Sequence, residues 1–237
     1  NVRALLLAAG YGKRLKPITD HLPKCLVEIS GEPLLGKWIK KLEVLDCDSV
    51  LVNTHYLSNM VVDYLKNIPE TKLKISLSYE EELKGTAGTL FDNIEFFDGY
   101  TGIFVHADNV SKLDLRNLLE AHQRRPKHCL LTMLTFNCNN PKSAGIVEKD
   151  SNDILVAFHE KVENPPNNCA NAAIYVFDKD FIQWIKELKI QPYDFSIDII
   201  PLLLGKIFTY HTNEVYLDIG TPNSLKFAQK VFKKGTS

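Results

Sequence analysis

Residues 5–26, LLLAAGYGKRLKPITDHLPKCL, constrain this chain more than any other stretch. The short apolar run Val2 to Leu7 reads as a β-strand. It breaks into Ala8, Ala9, Gly10 and Gly12, then meets Lys13, Arg14 and, further on, Lys24. A buried strand that opens into small residues at its carboxyl end is how parallel α/β sheets build ligand loops. Backbone N–H groups there bind oxygens at fixed angles, and nearby cations offset charge as it moves onto a leaving phosphate, so the run predicts a polyphosphate cradle. Arg14 supplies a planar fork and Lys24 a mobile point charge. Two familiar glycine loops are excluded. Gly10-Tyr11-Gly12-Lys13-Arg14-Leu15 lacks the third glycine of the dinucleotide fingerprint, and the next strand ends in Asn53 and Thr54 rather than a ribose-binding acid. The Walker A interval and its GK[ST] ending are absent as well.

The rest of the first half alternates strand and helix. Leu34 to Leu45 has apolar residues at helical spacing, Ser49 to Asn53 reads as a strand, Asn59 to Leu65 as a helix and Leu73 to Tyr79 as a strand, with a helix opening near Gly85. Gly102 to Ala107 is an apolar strand, LDLRNLLEAHQRR a helix with an apolar face, and His128 to Phe136 another strand. Such alternation predicts an α/β fold with a mostly parallel central sheet and helices on both faces. After Asn137 shorter strands are separated by Asn, Pro and Asp turns, which predicts a small mixed-sheet portion on the same core. Helices are expected at Asp180 to Leu188, around Ser196 to Leu204 and at Asn223 to Lys233, with a strand at Lys206 to His211. The expectation is a single domain over 1–237, in which 1–136 mainly binds nucleotide and 137–237 mainly binds the second substrate.

Charge and cysteine usage remove several function classes. Lys plus Arg number 28 against 29 Asp plus Glu, a net charge of −1, so no global field draws the chain to nucleic acid or anionic lipid. No apolar run is long enough for a membrane span and no signal peptide is evident, which makes the cytosol the expected compartment. The five cysteines contain no C-x-x-C pair, so neither a zinc knuckle nor a disulfide framework is expected. Asp108 emerges where the strand Gly102 to Ala107 meets solvent, and Asp218 interrupts another apolar stretch before Gly220. Two carboxylates brought together can supply oxygen ligands to octahedral Mg²⁺; each alone reads equally as a cap or turn acid.

Taken in order, Gly10-Tyr11-Gly12-Lys13-Arg14-Leu15, Pro17, Thr19, Pro23-Lys24, Gly85-Thr86-Ala87-Gly88, Asp108, Glu160-Lys161, Asn171 with Ile174-Tyr175, and Tyr216-Leu217-Asp218-Ile219-Gly220-Thr221-Pro222 resemble the sugar-1-phosphate nucleotidyltransferases. The likeness spans about residues 2 to 230. It implies a glycosyltransferase-A-like fold and a reaction in which an NTP and a sugar 1-phosphate give an NDP-sugar and pyrophosphate. By that resemblance Leu7, Ala8, Ala9 and Gly10 pass close to the base and ribose, while Gly12, Lys13 and Arg14 hold the triphosphate. Lys24 approaches the α-phosphate, and Glu81 with Gly85 helps recognise the base. Asp108 and Asp218 hold Mg²⁺, and Gly145, Glu160, Lys161 and Asn171 address the sugar phosphate. Arg14, Lys24, Asp108 and Lys161 are the residues expected to carry catalysis.

Local readings compete with some of these roles. Glu160-Lys161 reads also as a surface ion pair and Asn171 as a turn cap, and His106 as a structural strand residue. The chain departs from the family pattern at Cys25, at His106-Ala107 before the acid, and at Ala173, where the pattern commonly has glycine. The segment Glu80 to Gly88 resembles that of guanylyl- and uridylyl-transferring members more than the cytidylyl type, and by that resemblance the expectation leans to GTP with an acceptor of the mannose or heptose 1-phosphate type. Uridylyl or thymidylyl transfer to a hexose or amino-sugar phosphate stays open, as does a noncatalytic regulatory subunit. The expected partners are thus an NTP and a sugar 1-phosphate, with no nucleic acid and no membrane, and self-association is compatible with the chain.

Overall fold

A computed structural model describes residues 1–233. Strands β1 (Val2–Leu7), β2 (Glu28–Ile29) and β3 (Glu32–Pro33) precede helix α1 (Leu34–Val44). Then come β4 (Ser49–Thr54), α2 (Ser58–Lys66), β5 (Lys74–Tyr79), α3 (Gly85–Asp92), β6 (Thr101–His106), β7 (Asn109–Ser111) and α4 (Leu115–Gln123). Strands β8 (Leu131–Asn137), β9 (Gly145–Lys149), β10 (Leu155–Glu160) and β11 (Cys169–Phe177) lead into α5 (Lys179–Glu187). Last are β12 (Ile207–His211), β13 (Tyr216–Asp218) and α6 (Pro222–Val231). The expected α/β class, with its mixed-sheet portion, is what the chain forms.

The chain divides into two compact units. One holds Asn1–Arg3, Lys84–Val105 and Asp114–Glu214; the other holds Ala4–Leu83, His106–Leu113 and the chain from Val215 onward. The change of texture after residue 136 therefore lies inside the first unit rather than at a border.

In the first unit the strand order is β10-β9-β11-β6, with β8 also beside β11 and β12 beside β8. Strand β11 pairs antiparallel with β6, β8 and β9, whereas β12 runs parallel to β8. Its residues Ile174 to Phe177 are fully buried, and Phe177 packs edge-on to Phe97 and tilted against Phe181. Gly102 lets that ring approach, because a methyl there would stand 2.3 Å from a Phe177 ring carbon. A second core feature is polar. Buried His122 bonds Thr132 and Asp178, while Asp178 also accepts from Thr101 and pairs with Arg125, tying α4 to β8, β6 and the start of α5.

The helix expected around Ser196 to Leu204 is instead one wide turn, Phe195–Ile199, followed by a 3-10 turn, Ile200–Leu203. Pro201 has no amide hydrogen to continue a ladder and its ring crowds the preceding turn.

In the other unit the order is β1-β4-β5, and β4 pairs parallel with β5 from Ser49↔Lys74 to Thr54↔Tyr79. Every residue of β4 is buried, as its run of Val and Leu predicts. A separate core of Leu15, Val27, Ile29, Leu34, Val110 and Ile219 packs with Ala228 of α6. Burying roughly six aliphatic side chains contributes on the order of 10 kcal/mol toward fixing the loop that carries Leu15.

Candidate active site

The loop after β1 is held at both ends by buried polar groups. The Ala8 amide donates to Asn53 Oδ1 (2.7 Å), and Asn53 Nδ2 donates to Glu80 Oε1 (3.0 Å). Asn53 is 4% exposed and Glu80 1%, so this link operates in a low-dielectric setting where an unmade hydrogen bond is costly. The parallel register of β4 and β5 supplies both partners. Gly12 then takes a left-handed φ of 61° and sits so close to Thr19 that a methyl there would meet Cγ2 at 2.8 Å. Thr19 Oγ1 returns a bond to the Gly12 carbonyl (2.8 Å). Short 3-10 turns at Lys13–Leu15, Ile18–Asp20 and Lys24–Leu26 follow. Leu15 is buried while Lys13 and Arg14 remain exposed, so one apolar anchor holds two presented cations.

The backbones of the two acids read from sequence come together where β7 pairs with β13. Those strands pair antiparallel with Asp218 opposite Asn109, and the Ile219 amide donates to the Asp108 carbonyl (2.9 Å). Asp108 Oδ2 accepts from Lys24 Nζ at 2.7 Å. Burial alone would raise the Asp108 pKa; the positive charges of Lys24 and His106 and the Lys24 hydrogen bond outweigh it and hold the carboxyl below its usual range. Arg14 stands near Asp218. A methyl on Gly220 would lie 2.8 Å from Asp218 Oδ2 and 3.2 Å from Arg14 Nη2, so Gly220 leaves room for both.

Among the described residues no three His, Cys, Asp or Glu side chains are arranged to hold a metal by themselves. Two carboxylates with hard oxygen donors fit Mg²⁺, which takes one or two carboxylates and fills its octahedron with water and phosphate oxygens.

Gly85, Gly145, Glu160, Lys161 and Asn171 belong to the first unit, which holds Lys84–Val105 and Asp114–Glu214. Gly85 opens α3 at φ 75°, and a methyl there would strike the Tyr193 carbonyl oxygen at 2.2 Å. Ala87 N donates to that same carbonyl (3.0 Å), and Phe195 N donates to Thr86 Oγ1 (2.8 Å). The Gly-Thr-Ala turn thus clamps the 193–195 backbone. Glu81, expected to act with Gly85, is an exposed residue before the turn, while Glu80 is the buried acid.

Gly145 and Glu160 face each other in the β9/β10 ladder. A methyl on Gly145 would be 2.4 Å from Phe158 Cζ and 2.7 Å from Glu160 Oε2, so this glycine admits those side chains. Lys161, at φ 52°, donates its amide to Ala144 and sets Nζ 3.0 Å from Glu160 Oε1. The Lys161 side chain is 63% exposed, so this is a solvent-facing ion pair of small energetic worth.

Asn171 lies where the β11/β8 register shifts, and its Oδ1 accepts from Ala173 N (2.9 Å). Ala173 has φ 52°, a left-handed conformation that favours glycine, the residue the family pattern commonly has there. Sequence reasoning missed Glu80 and gave no role to Asn53. The available signal was an amide ending an otherwise apolar strand.

A family model described as nucleotidyl transferase matches residues 3–234. The mannose-1-phosphate guanylyltransferase of Mycobacterium tuberculosis is 28% identical over 228 residues, covering 93% of this chain and 62% of that protein. The bifunctional protein GlmU of Methanocaldococcus jannaschii is 32% identical over 187 residues, covering 79% of this chain and 42% of that one. The chain spans less than two thirds of the length of the curated relatives it matches. A solved structure of HddC from Yersinia pseudotuberculosis superposes with a TM-score of 0.83 at 22% identity, covering 98% of this chain and 99% of that one, which establishes a shared fold. Among the described residues no helix is long and apolar enough to cross a membrane. With the family model matching nearly its whole length, the chain belongs to the nucleotidyl transferase family.

Proposed function

We propose that the chain transfers a nucleotidyl group from an NTP, GTP favoured, to a sugar 1-phosphate of the mannose or heptose type, releasing pyrophosphate. The observation that supports this reading is the β7/β13 pairing, which brings the backbones of Asp108 and Asp218 together, with Lys24 bonded to Asp108 and Arg14 near Asp218 around Gly220. The name borne by the Mycobacterium tuberculosis relative supports the choice of guanylyl group and mannose phosphate.

The acceptor needs no strong base, because a phosphate monoester has a second pKa of about 6 and is largely dianionic near neutrality. One of its oxygens forms a bond to the α-phosphorus as the bond from that phosphorus to the bridging oxygen breaks, and the electron pair leaves with pyrophosphate. Catalysis is then alignment and charge stabilisation. Arg14 and Lys13 would bind the β- and γ-phosphates, Lys24 the α-phosphate, and the amides of the loop Leu7 to Gly12 the base, ribose and phosphate oxygens. Lys161 would hold the incoming phosphate, with Glu160 and Asn171 on sugar hydroxyls and Gly145 keeping Glu160 in place. Glu81 and Gly85 would recognise the base.

Asp108 and Asp218 would hold Mg²⁺, which when bound supplies positive charge to the polyphosphate. A carboxyl kept below its usual pKa by Lys24 is already ionised for that task at neutral pH.

The test is pyrophosphate release with Mg²⁺ across four NTPs and a panel of hexose, amino-sugar and heptose 1-phosphates. Release that requires both GTP and a mannose-type phosphate is expected. Release with another base or sugar would redirect the specificity, and NTP binding without release on any pair would favour a regulatory subunit.

A further inference from the structure

Asn171 is expected to touch the sugar phosphate, yet its carboxamide could point either way unless something fixes it. The register break in β11 leaves three residues, 172 to 174, where the ladder partner β8 has only Leu134. The strand resumes at Tyr175, whose ring is completely buried and packs against Phe104 (5.7 Å) and Phe195 (4.7 Å). The Tyr175 hydroxyl accepts from Asn171 Nδ2 at 2.6 Å. Asn171 Oδ1 meanwhile accepts from the Ala173 amide. Turning the carboxamide over would set its NH₂ against the Ala173 N–H, so the Ala173 amide decides which way it faces, while the Tyr175 hydroxyl, able to donate or accept, holds its far end in place.

From this geometry we propose that Tyr175 is a positioning residue: its buried hydroxyl anchors the far end of the Asn171 carboxamide, which the Ala173 amide orients, at the place where it meets the sugar 1-phosphate. The inference rests on the proposed transferase reading and deepens it. Burial pushes the phenol pKa up, so the group stays a neutral hydroxyl at any working pH. The Tyr175 ring packs on Phe195, whose amide bonds Thr86. One buried tyrosine thus connects the Gly-Thr-Ala turn to the bulge that carries Asn171. Tyr175 does not touch substrate; it acts through Asn171.

The experiment compares wild type, Y175F, N171A and Y175F/N171A by steady-state kinetics, varying NTP and sugar 1-phosphate separately. Y175F keeps the ring and its packing, and thermal melting within a few degrees of wild type checks that the fold is retained. One hydrogen bond of this kind corresponds to a rise in KM for sugar 1-phosphate of roughly threefold to tenfold. The KM for NTP should stay unchanged, and the double variant should be no worse than N171A, because the tyrosine acts only through the asparagine. Three results would overturn the proposal: a Y175F enzyme with wild-type sugar-phosphate KM, equal shifts in both KM values, or fully additive losses in the double variant. If N171A leaves sugar-phosphate KM untouched, the role of Asn171 itself is wrong. A wild-type chain that turns over no substrate pair overturns the transferase reading and this inference with it.

Discussion

Ala173 is the residue where local strain and function meet most visibly. A left-handed alanine costs about 1–2 kcal/mol, while glycine loses roughly 0.5–1 kcal/mol more backbone entropy on folding. Ala173→Gly should therefore raise stability by a few tenths to about 1 kcal/mol, read as a higher urea midpoint; a lower midpoint would show that the methyl contributes packing that outweighs the strain. His122 makes a second prediction at this scale. Burial lowers its pKa below the usual value, against the opposing hydrogen bond to Asp178, so it is neutral in the folded state and charges more readily when unfolded. Its contribution is fully present above the unfolded pKa of about 6.5 and is lost as pH falls through the lower folded value. Asp178, held low by its His122 hydrogen bond despite burial, adds a further loss below about pH 4. Urea midpoints should fall between pH 7 and 5 in wild type and fall less in His122→Gln. An equal slope in both would assign the acid sensitivity elsewhere.

Among the elements, long periodic segments were legible from sequence and short pairings were not. Strands β1 and β4 and helices α1, α4 and α5 follow from apolar period, with ends within a few residues of expectation. The three-residue ladder of β7 and β13 carries no period at all, yet it joins two acids 110 residues apart in sequence. Its place in the motif order, not its local pattern, suggested the meeting of Asp108 and Asp218. The bulge in β11 was equally hidden, since nothing in CANAAIYVF marks where register is lost. The Gly85 turn was read for its ligand and proves also to be a clamp on the Tyr193 backbone. Gly85→Ala combines a left-handed φ with a methyl 2.2 Å from a carbonyl oxygen. A loss of at least about 2 kcal/mol is expected. Thermal unfolding checks this, and a midpoint within a degree or two of wild type would mean the 193–195 segment yields freely.

For the molecule as a whole, the loop, both acids and Lys24 are assembled inside one compact unit, and Gly145, Glu160, Lys161 and Asn171 inside the other. Net charge and spacing could not reveal this partition, because the first unit is gathered from three separate stretches and the second from three more. In the proposed reaction Asp108 and Asp218, whose backbones come together at β7 and β13, serve transfer of a nucleotidyl group to a sugar 1-phosphate. The most direct measurement is the mass of the product formed from GTP, mannose 1-phosphate and Mg²⁺ by wild type, Asp108→Asn and Asp218→Asn, each checked for folding by its melting curve. The account predicts a GDP-sugar mass with wild type and a yield at least about a hundredfold lower with either folded variant. Wild-type yield from both variants would contradict it.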